Sequence, residues 1–252
     1  MDEVVIRECA TVEEFDACVA LQREAFGLPD LELSPRRNLI VARNAGGWTL
    51  GAYDGGRLVG FVLTQVAVRG RAEVAGYSHM MAVARDYQNR GVGARLKWAQ
   101  RARALSEGRR FIHWTWDPLQ SRNAHFNLNR LGVVVRSYAE NFYGTDYSTV
   151  TGKFGASLGL DSDRLIAEWT LDSPRVDALA RGERAEDLGE PAVAVEIPTD
   201  WGSVVREDAD AARAELLRVR TEFQAALARG LYCAAFDREG ARPRYLFYSD
   251  EC

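Results

Sequence analysis

No stretch of the 252 residues approaches the roughly 20 consecutive apolar residues that a helix needs to cross a bilayer, so a membrane-spanning chain is not expected. Cysteine and histidine are scarce. Cys9, Cys18, Cys233 and Cys252 form no C-x-x-C pair, and the chain has three histidines, which argues against a structural zinc site. The four cysteines read as reduced thiols of a cytoplasmic protein. The opening residues, MDEVVIRECA, lack the basic-then-apolar plan of a secretory signal. An excess of positive charge is missing as well. The net charge of -4 argues against a general nucleic-acid surface.

What is present reads as strands alternating with helices. A strand is expected over residues 4–7. Thr11 with Glu14 three residues on has the form of a capping box. Phe15, Cys18, Val19, Ala25 and Phe26 then keep helical spacing up to Gly27. Pro29 and Pro35 mark a loop, and a short helix is expected over 36–43. Strands at 48–52 and 58–68 flank YDGGR, an Asp-Gly hairpin signal, and a third strand at 76–83 completes an antiparallel meander. Val92, Leu96, Ala99, Ala102 and Leu105 recur every three or four residues, an amphipathic helix stopped at Gly108. Next come a strand at 111–117, a helix from Ser121 ending at Gly132, and strands at 133–138 and 164–171. Strand, helix, strand over 76–118 implies a parallel pair joined by a crossover, so residues 1–171 read as α/β on a mixed sheet.

Residues 172–190 are polar, charged and proline-flanked, and read as a linker or surface helix. Residues 191–252 add a β-α-β-β extension: a strand at 192–197, a long helix with Leu216, Val219, Phe223 and Leu227 on one face, a cap at Gly230, and two strands around DREGARP. GAYDGGRLVGFVL at 51–63 and AAFDREGARPRYLF at 234–247 share a pattern that suggests a degenerate duplicated half-domain; chance similarity is the competing reading.

Gly91 and Gly93 stand at a strand-to-helix junction in YQNRGVGARLKW. The first turn of a helix leaves backbone N–H groups unpaired, and with the macrodipole they attract an anion. Glycine lets the backbone approach it closely. The spacing therefore points to a phosphate cradle, with Arg90 at its mouth and Arg95 within reach. In the competing reading the glycines only form a tight turn, and Arg95, Lys97, Arg101 and Arg103 line a solvated face. The pattern is neither G-x-G-x-x-G nor a Walker loop.

QNRGVG, Gln88 to Gly93, resembles the R/Q-x-x-G-x-G/A signature of the GCN5-related N-acetyltransferase (GNAT) superfamily, and the order of elements over 4–171 is similar to that family's. With WTWDPLQSRNAHFNLNRLG, the N-terminal part also resembles a bacterial branch of the superfamily, some relatives of which use succinyl-CoA and amino acids. The resemblance implies a GNAT-like mixed, mostly antiparallel twisted sheet flanked by helices. It implies an acyl-CoA-binding domain over 1–171, a linker at 172–190 and the extension at 191–252. The co-substrate would be acetyl-CoA or another acyl-CoA such as succinyl-CoA. Its pyrophosphate would meet the backbone along Gln88, Asn89, Arg90, Gly91, Val92, Gly93 and Ala94, and its pantetheine arm would lie along Met81 and Val83, where the next strand splays away. Asn123 and Ala124 resemble the family's asparagine-alanine pair at a tighter spacing. The family's proton-donating tyrosine falls at Leu128, which cannot donate, so the acid is another residue or water.

Transfer from a thioester to an amine needs a neutral amine, aligned reactants and a donor for the carbonyl oxygen. By resemblance that donor is a strand N–H near Met81. His79, two residues before Met81, shares its face if the strand alternates regularly, and its pKa class suits a base; filling a sheet surface is the competing role. Tyr143 is the candidate replacement acid, with ordinary packing as the alternative; Asp117, Glu140 and Asn141 stand near the same strand ends. Trp114 and Trp116 read as core or as a pocket wall. The glycine-rich stretch 144–159, with Asp161 and Asp163, reads as a lid that attracts an amine or as plain turns.

The sequence thus points to an acyl-CoA-dependent N-acyltransferase acting on a small-molecule amine or amino acid, with no metal, nucleic-acid or membrane partner. A catalytically weak acyl-CoA sensor or partner-binding module is the alternative. The C-terminal part leaves a homodimer open.

Overall fold

The computed structural model describes residues 4–27, 30–147 and 157–249. Pro29, Cys252 and residues 148–156 of the expected lid lie outside the described residues. The chain packs as two compact units, Met1–His113 and Trp114–Cys252. The division falls inside a strand, not in the polar stretch at 172–190, which carries a short helix instead.

In the first unit the elements are β1 (Val5–Glu8), α1 (Val12–Phe26), α2 (Arg36–Asn44), β2 (Trp48–Asp54), β3 (Arg57–Arg69), β4 (Glu73–Val83), α3 (Val92–Ser106) and the start of β5 (Phe111–Trp116). The capping box is formed: the Glu14 amide donates to Thr11 Oγ1 at 3.3 Å, and the Thr11 amide donates to Glu14 Oε2 at 3.1 Å. Gly27 closes α1 with φ 64°. Gly55 and Gly56, φ 53° and 92°, turn the β2–β3 hairpin, as the Asp-Gly signal requires. β1 to β4 pair in sequence order, all antiparallel, and β4 meets β5 in parallel at Gly76↔Ile112 and Tyr77↔His113. This is the mixed, mostly antiparallel sheet that the sequence implies.

The buried side of α3 differs from the expected one. It carries Val92, Leu96, Lys97, Gln100 and Ala104, while Ala102 is exposed and Ala99 and Leu105 are half-buried. The helix lies close over β3: a Cβ at Gly60 would stand 3.1 Å from Leu96 and 3.2 Å from Val92. Lys97 and Gln100 turn inward because hydroxyls of the sheet receive them.

The second unit holds the end of β5, α4 (Ser121–His125), β6 (Val134–Ala139), β7 (Arg164–Thr170), α5 (Pro174–Ala180), β8 (Val193–Glu196), α6 (Trp201–Glu207), α7 (Ala209–Ala228), β9 (Leu231–Asp237) and β10 (Arg244–Ser249). Its strands take the order β7-β6-β9-β10-β8. Phe223 of α7 packs among Tyr245 and Phe247, with ring centroids 5.2 and 4.7 Å away. The expected helix to Gly132 is instead α4 continued by a widened turn over 126–130, in which the Leu131 amide reaches back to Phe126 O at 3.1 Å. Long-range partners hold this turn. Asn129 exchanges two hydrogen bonds with the Phe236 backbone, at 3.0 and 2.9 Å, and Arg175 donates to Leu128 O. The extension repeats the strand-helix-hairpin order of the N-terminus, but its lone strand pairs differently. β1 joins the first hairpin strand, β2, whereas β8 joins the last, β10.

Candidate active site

The junction between β4 and α3 is built from left-handed backbone. Asn89 has φ 62° and Gly91 φ 81°. Intrahelical bonding begins with the Arg95 amide to Gly91 O at 3.0 Å, so the amides of Val92, Gly93 and Ala94 come before the first amide that donates within the helix. Apart from Gly91 and its chain neighbours, no heavy atom lies within 4 Å of the place a Cβ on Gly91 would occupy. That position at the start of α3 is therefore open, and amides in a first helical turn are donors of the kind a diphosphate accepts from. Gly93 has another setting: a Cβ there would make ordinary contact with Met81 Cε at 3.5 Å and Val83 Cγ2 at 3.8 Å.

Side chains around the turn hold its shape. Gln88 Nε2 donates to Val83 O at 3.1 Å, tying the loop to the end of β4. The Tyr87 hydroxyl donates to Asp54 at 2.5 Å, and its ring lies between the guanidinium groups of Arg57 and Arg90, at 5.6 and 5.5 Å. Arg90 lies beside the turn against the Tyr87 ring. Arg95 turns elsewhere: its guanidinium donates to Val4 O at 2.5 Å. Arg103 pairs with Glu8 and Glu107.

On β4 the register against β3 slips by one residue. Leu63 faces Met80 and Thr64 faces Ser78, so His79 is the extra residue of a bulge. The bulge resets the alternation. Met81 shares a face with Ser78, toward α3, while the His79 ring lies 6.3 Å from that of Tyr77. The expected shared face of His79 and Met81 is therefore lost to one inserted residue. His79 keeps solvent access, yet burial by its surroundings holds its imidazole below the ordinary value. The ladder from β4 to β5 is confined to Gly76 and Tyr77, which leaves the β4 edge at Met81 and Val83 outside that pairing.

The other sequence candidates lie in the second unit. Tyr143 is exposed; its hydroxyl is 3.4 Å from Thr115 Oγ1, and its amide donates to Ser162 Oγ at 2.7 Å. Asn123 is exposed on α4 with Ala124 buried beneath it. Leu128 is fully buried. Trp114 and Trp116 are core: Trp114 meets Trp169 edge-on at 5.7 Å, and Trp116 Nε1 donates to the Tyr245 hydroxyl at 3.4 Å. Asp161 and Asp163 do not stand free to draw an amine. Both accept from Arg220 of α7, at 2.9 and 2.7 Å, and Glu140 joins the same guanidinium at 3.4 Å. Asp117 accepts from the Leu119 amide at 2.8 Å, and burial raises its carboxyl above the ordinary range. Among the described residues no group of three or more His, Cys, Asp or Glu is placed to hold a metal, and no helix is long and apolar enough to cross a membrane. The three described cysteines are free.

The family model of the acetyltransferase (GNAT) family matches residues 15–132, a span that contains the cradle, the bulge and both glycines. Over this segment, a little under half of the chain, the sequence matches the GNAT family. GNAT-fold structures are similar to it over about two thirds of its length. The ribosomal-protein-S18-alanine N-acetyltransferase from Escherichia coli is 15% identical with a TM-score of 0.53, over 68% of this chain and 96% of that one. The NatC complex bound to Gag peptide and CoA is 15% identical at 0.51, over 68% and 99%. An aminoglycoside 6'-acetyltransferase type Ii is 16% identical at 0.50, over 67% and 98%. At these identities the GNAT likeness is one of fold. No curated protein matches the chain.

Proposed function

We propose that this protein is an N-acyltransferase that moves an acetyl group from acetyl-CoA to the amine of a small molecule or amino acid. The observation that carries the reading is the set of helix-start amides at 92–94, reached through left-handed Asn89 and Gly91 and set beside the β4 edge at Met81 and Val83. That arrangement suits a diphosphate continued by an extended arm that hydrogen-bonds like a strand. A GNAT-fold neighbour bound to CoA supports it, as do neighbours named as N-acetyltransferase and aminoglycoside acetyltransferase.

In this reading the backbone of 89–94 grips the diphosphate, and Gln88 and Tyr87 keep the loop in shape. Arg90 adds charge at its mouth. Bound acetyl-CoA supplies an activated acyl group. His79 takes the proton of the acceptor amine. An amide of the bulge region near Met81 stabilises charge on the carbonyl oxygen. Tyr143 is the candidate that supplies a proton to the departing thiolate. The test is thiol release from acetyl-CoA and succinyl-CoA across a panel of amines, alongside calorimetric titration with CoA. Binding with acceptor-dependent release supports the enzyme, and a preference between donors identifies the acyl group. Absence of CoA binding defeats the reading.

A second reading rests on Leu128, which is buried where relatives carry a proton donor. It makes the protein an acyl-CoA sensor with weak chemistry. Tight CoA binding without turnover on any amine is its expected signature.

A further inference from the structure

Lys97 is a lysine inside the fold. It is 3% exposed, on the buried side of α3. Its Nζ donates to Ser78 Oγ at 2.9 Å and to Gln100 Oε1 at 2.9 Å. Gln100, fully buried, donates from Nε2 to Thr64 Oγ1 at 2.7 Å and to Ser78 Oγ at 3.0 Å. Four side chains from three elements thus form one polar cluster within the first unit. Burying an amine is costly, and desolvation pushes Lys97 well below its ordinary pKa. An apolar side chain would fill the same place at less cost, so the cluster calls for a reason beyond packing.

Its position supplies one. Thr64 and Ser78 are the cross-strand pair that borders the bulge, and the next residue, His79, is the one without a partner on β3. A bulge can migrate along a ladder by one residue, and such a step would re-aim His79 relative to the face that Met81 shares with Ser78. The cluster bonds the bordering pair to α3 and opposes that slip. The same helix begins at the amide cradle, five residues before Lys97. One rigid element therefore carries both the cradle and the clamp on the bulge.

We infer that Lys97, with Gln100, is a positioning residue: it clamps the Thr64–Ser78 pair so that the His79 bulge stands in one register relative to the α3 cradle. The clamp stands on geometry alone; its role in acyl transfer rests on the function proposed above.

The experiment uses the full-length protein and two variants, Lys97→Met, which keeps the aliphatic stem, and Ser78→Ala, which removes the shared hydroxyl with little change in volume. Backbone amide exchange is read at residues 78–81 and, as a control, in the β2–β3 ladder. Local loosening should speed exchange at 78–81 by about tenfold or more while the control amides hold. With acetyl-CoA and a responsive amine, kcat should fall roughly tenfold while the KM for acetyl-CoA stays within about twofold, because the cradle is untouched. Ser78→Thr, which keeps the hydroxyl, should retain activity. A filler role would show itself as a lower melting temperature with kcat and exchange at 78–81 unchanged, and that outcome overturns the inference. Unchanged exchange in both variants overturns it whatever the rates. Loosened amides with wild-type kcat remove the role in transfer. If wild-type protein neither binds CoA nor releases thiol, the proposed function fails, and the exchange data still decide whether the clamp exists. Should Lys97→Met not fold, Ser78→Ala alone carries the comparison.

Discussion

Gly91 and Gly93 look equivalent in sequence and are not equivalent in space. Gly91 sits at φ 81°, where a side chain is strained by about 1–2 kcal/mol, whereas Gly93 lies within α3 with room for a methyl group. Gly91→Val is therefore expected to lower the melting temperature and to raise the KM for acetyl-CoA at least about tenfold, since it strains the turn and fills the open space before the amides. Gly93→Ala should leave the melting temperature unchanged or slightly higher. Equal effects of the two changes on stability would contradict this assignment. His79 makes a separate claim at the same scale. Burial disfavours its charged form, so the neutral base persists to lower pH than for a free imidazole. The acidic limb of the rate profile should have its midpoint below about 6.5 and flatten in His79→Ala. An unaltered limb would remove His79 as the base.

The entry to α1 shows how one element responds to acid. Burial opposes the charge on Glu14, but donors from the Ala10 and Thr11 amides and from Arg7 outweigh it and hold the carboxyl at about 2. A depressed carboxyl stabilises the fold above its unfolded value, about 4.3, and loses that contribution as pH falls through its folded value. Melting temperature measured from about pH 5 down to about pH 2 should fall less steeply in Glu14→Gln than in wild type. Thr11→Ala removes the other half of the cap and should cost about 1 kcal/mol in urea unfolding at neutral pH. A wild-type slope in Glu14→Gln would mean that the capping charge carries no stability. At the same scale, the turn at 126–130 contains no glycine or proline to announce it. It widens because Asn129 and Leu128 are held by β9 and α5, more than forty residues further along the chain.

At the scale of the whole molecule, residues 114–171 depend on the C-terminal extension for their packing. β6 pairs with β9 at Val135↔Cys233, the Tyr245 hydroxyl donates to Pro118 O at 2.7 Å, and Arg220 meets Asp163, whose side chain is fully buried. Tyr138 donates to the same carboxylate at 2.5 Å. Ending the chain at residue 172 would strip β6 of a neighbour and leave the Asp163 carboxylate without its cation, a loss of several kcal/mol on its own. A truncated 1–172 protein is thus expected to be insoluble, or soluble only as aggregates by size-exclusion chromatography. A soluble monomer with a cooperative melting transition would show that residues 191–252 are dispensable for folding.

Much of this protein can be read along its chain. The capping box at Thr11 and Glu14, the Gly55–Gly56 hairpin, the length of α3, the antiparallel meander and the glycine turn are local signals, written within a few residues of where they act. So is QNRGVG, on which the family resemblance first rests. What the tertiary structure decided depends on partners distant in sequence. A one-residue slip between β3 and β4 separates His79 from Met81; hydroxyls on two strands draw Lys97 and Gln100 inward; Val4 captures Arg95; β9 and α5 widen the turn at 126–130. Periodicity records which side of an element is apolar, but a buried amine has the same letter as a solvated one. Only the arrival of its acceptors makes burial tolerable, and those acceptors are set by strand register, which no local pattern encodes.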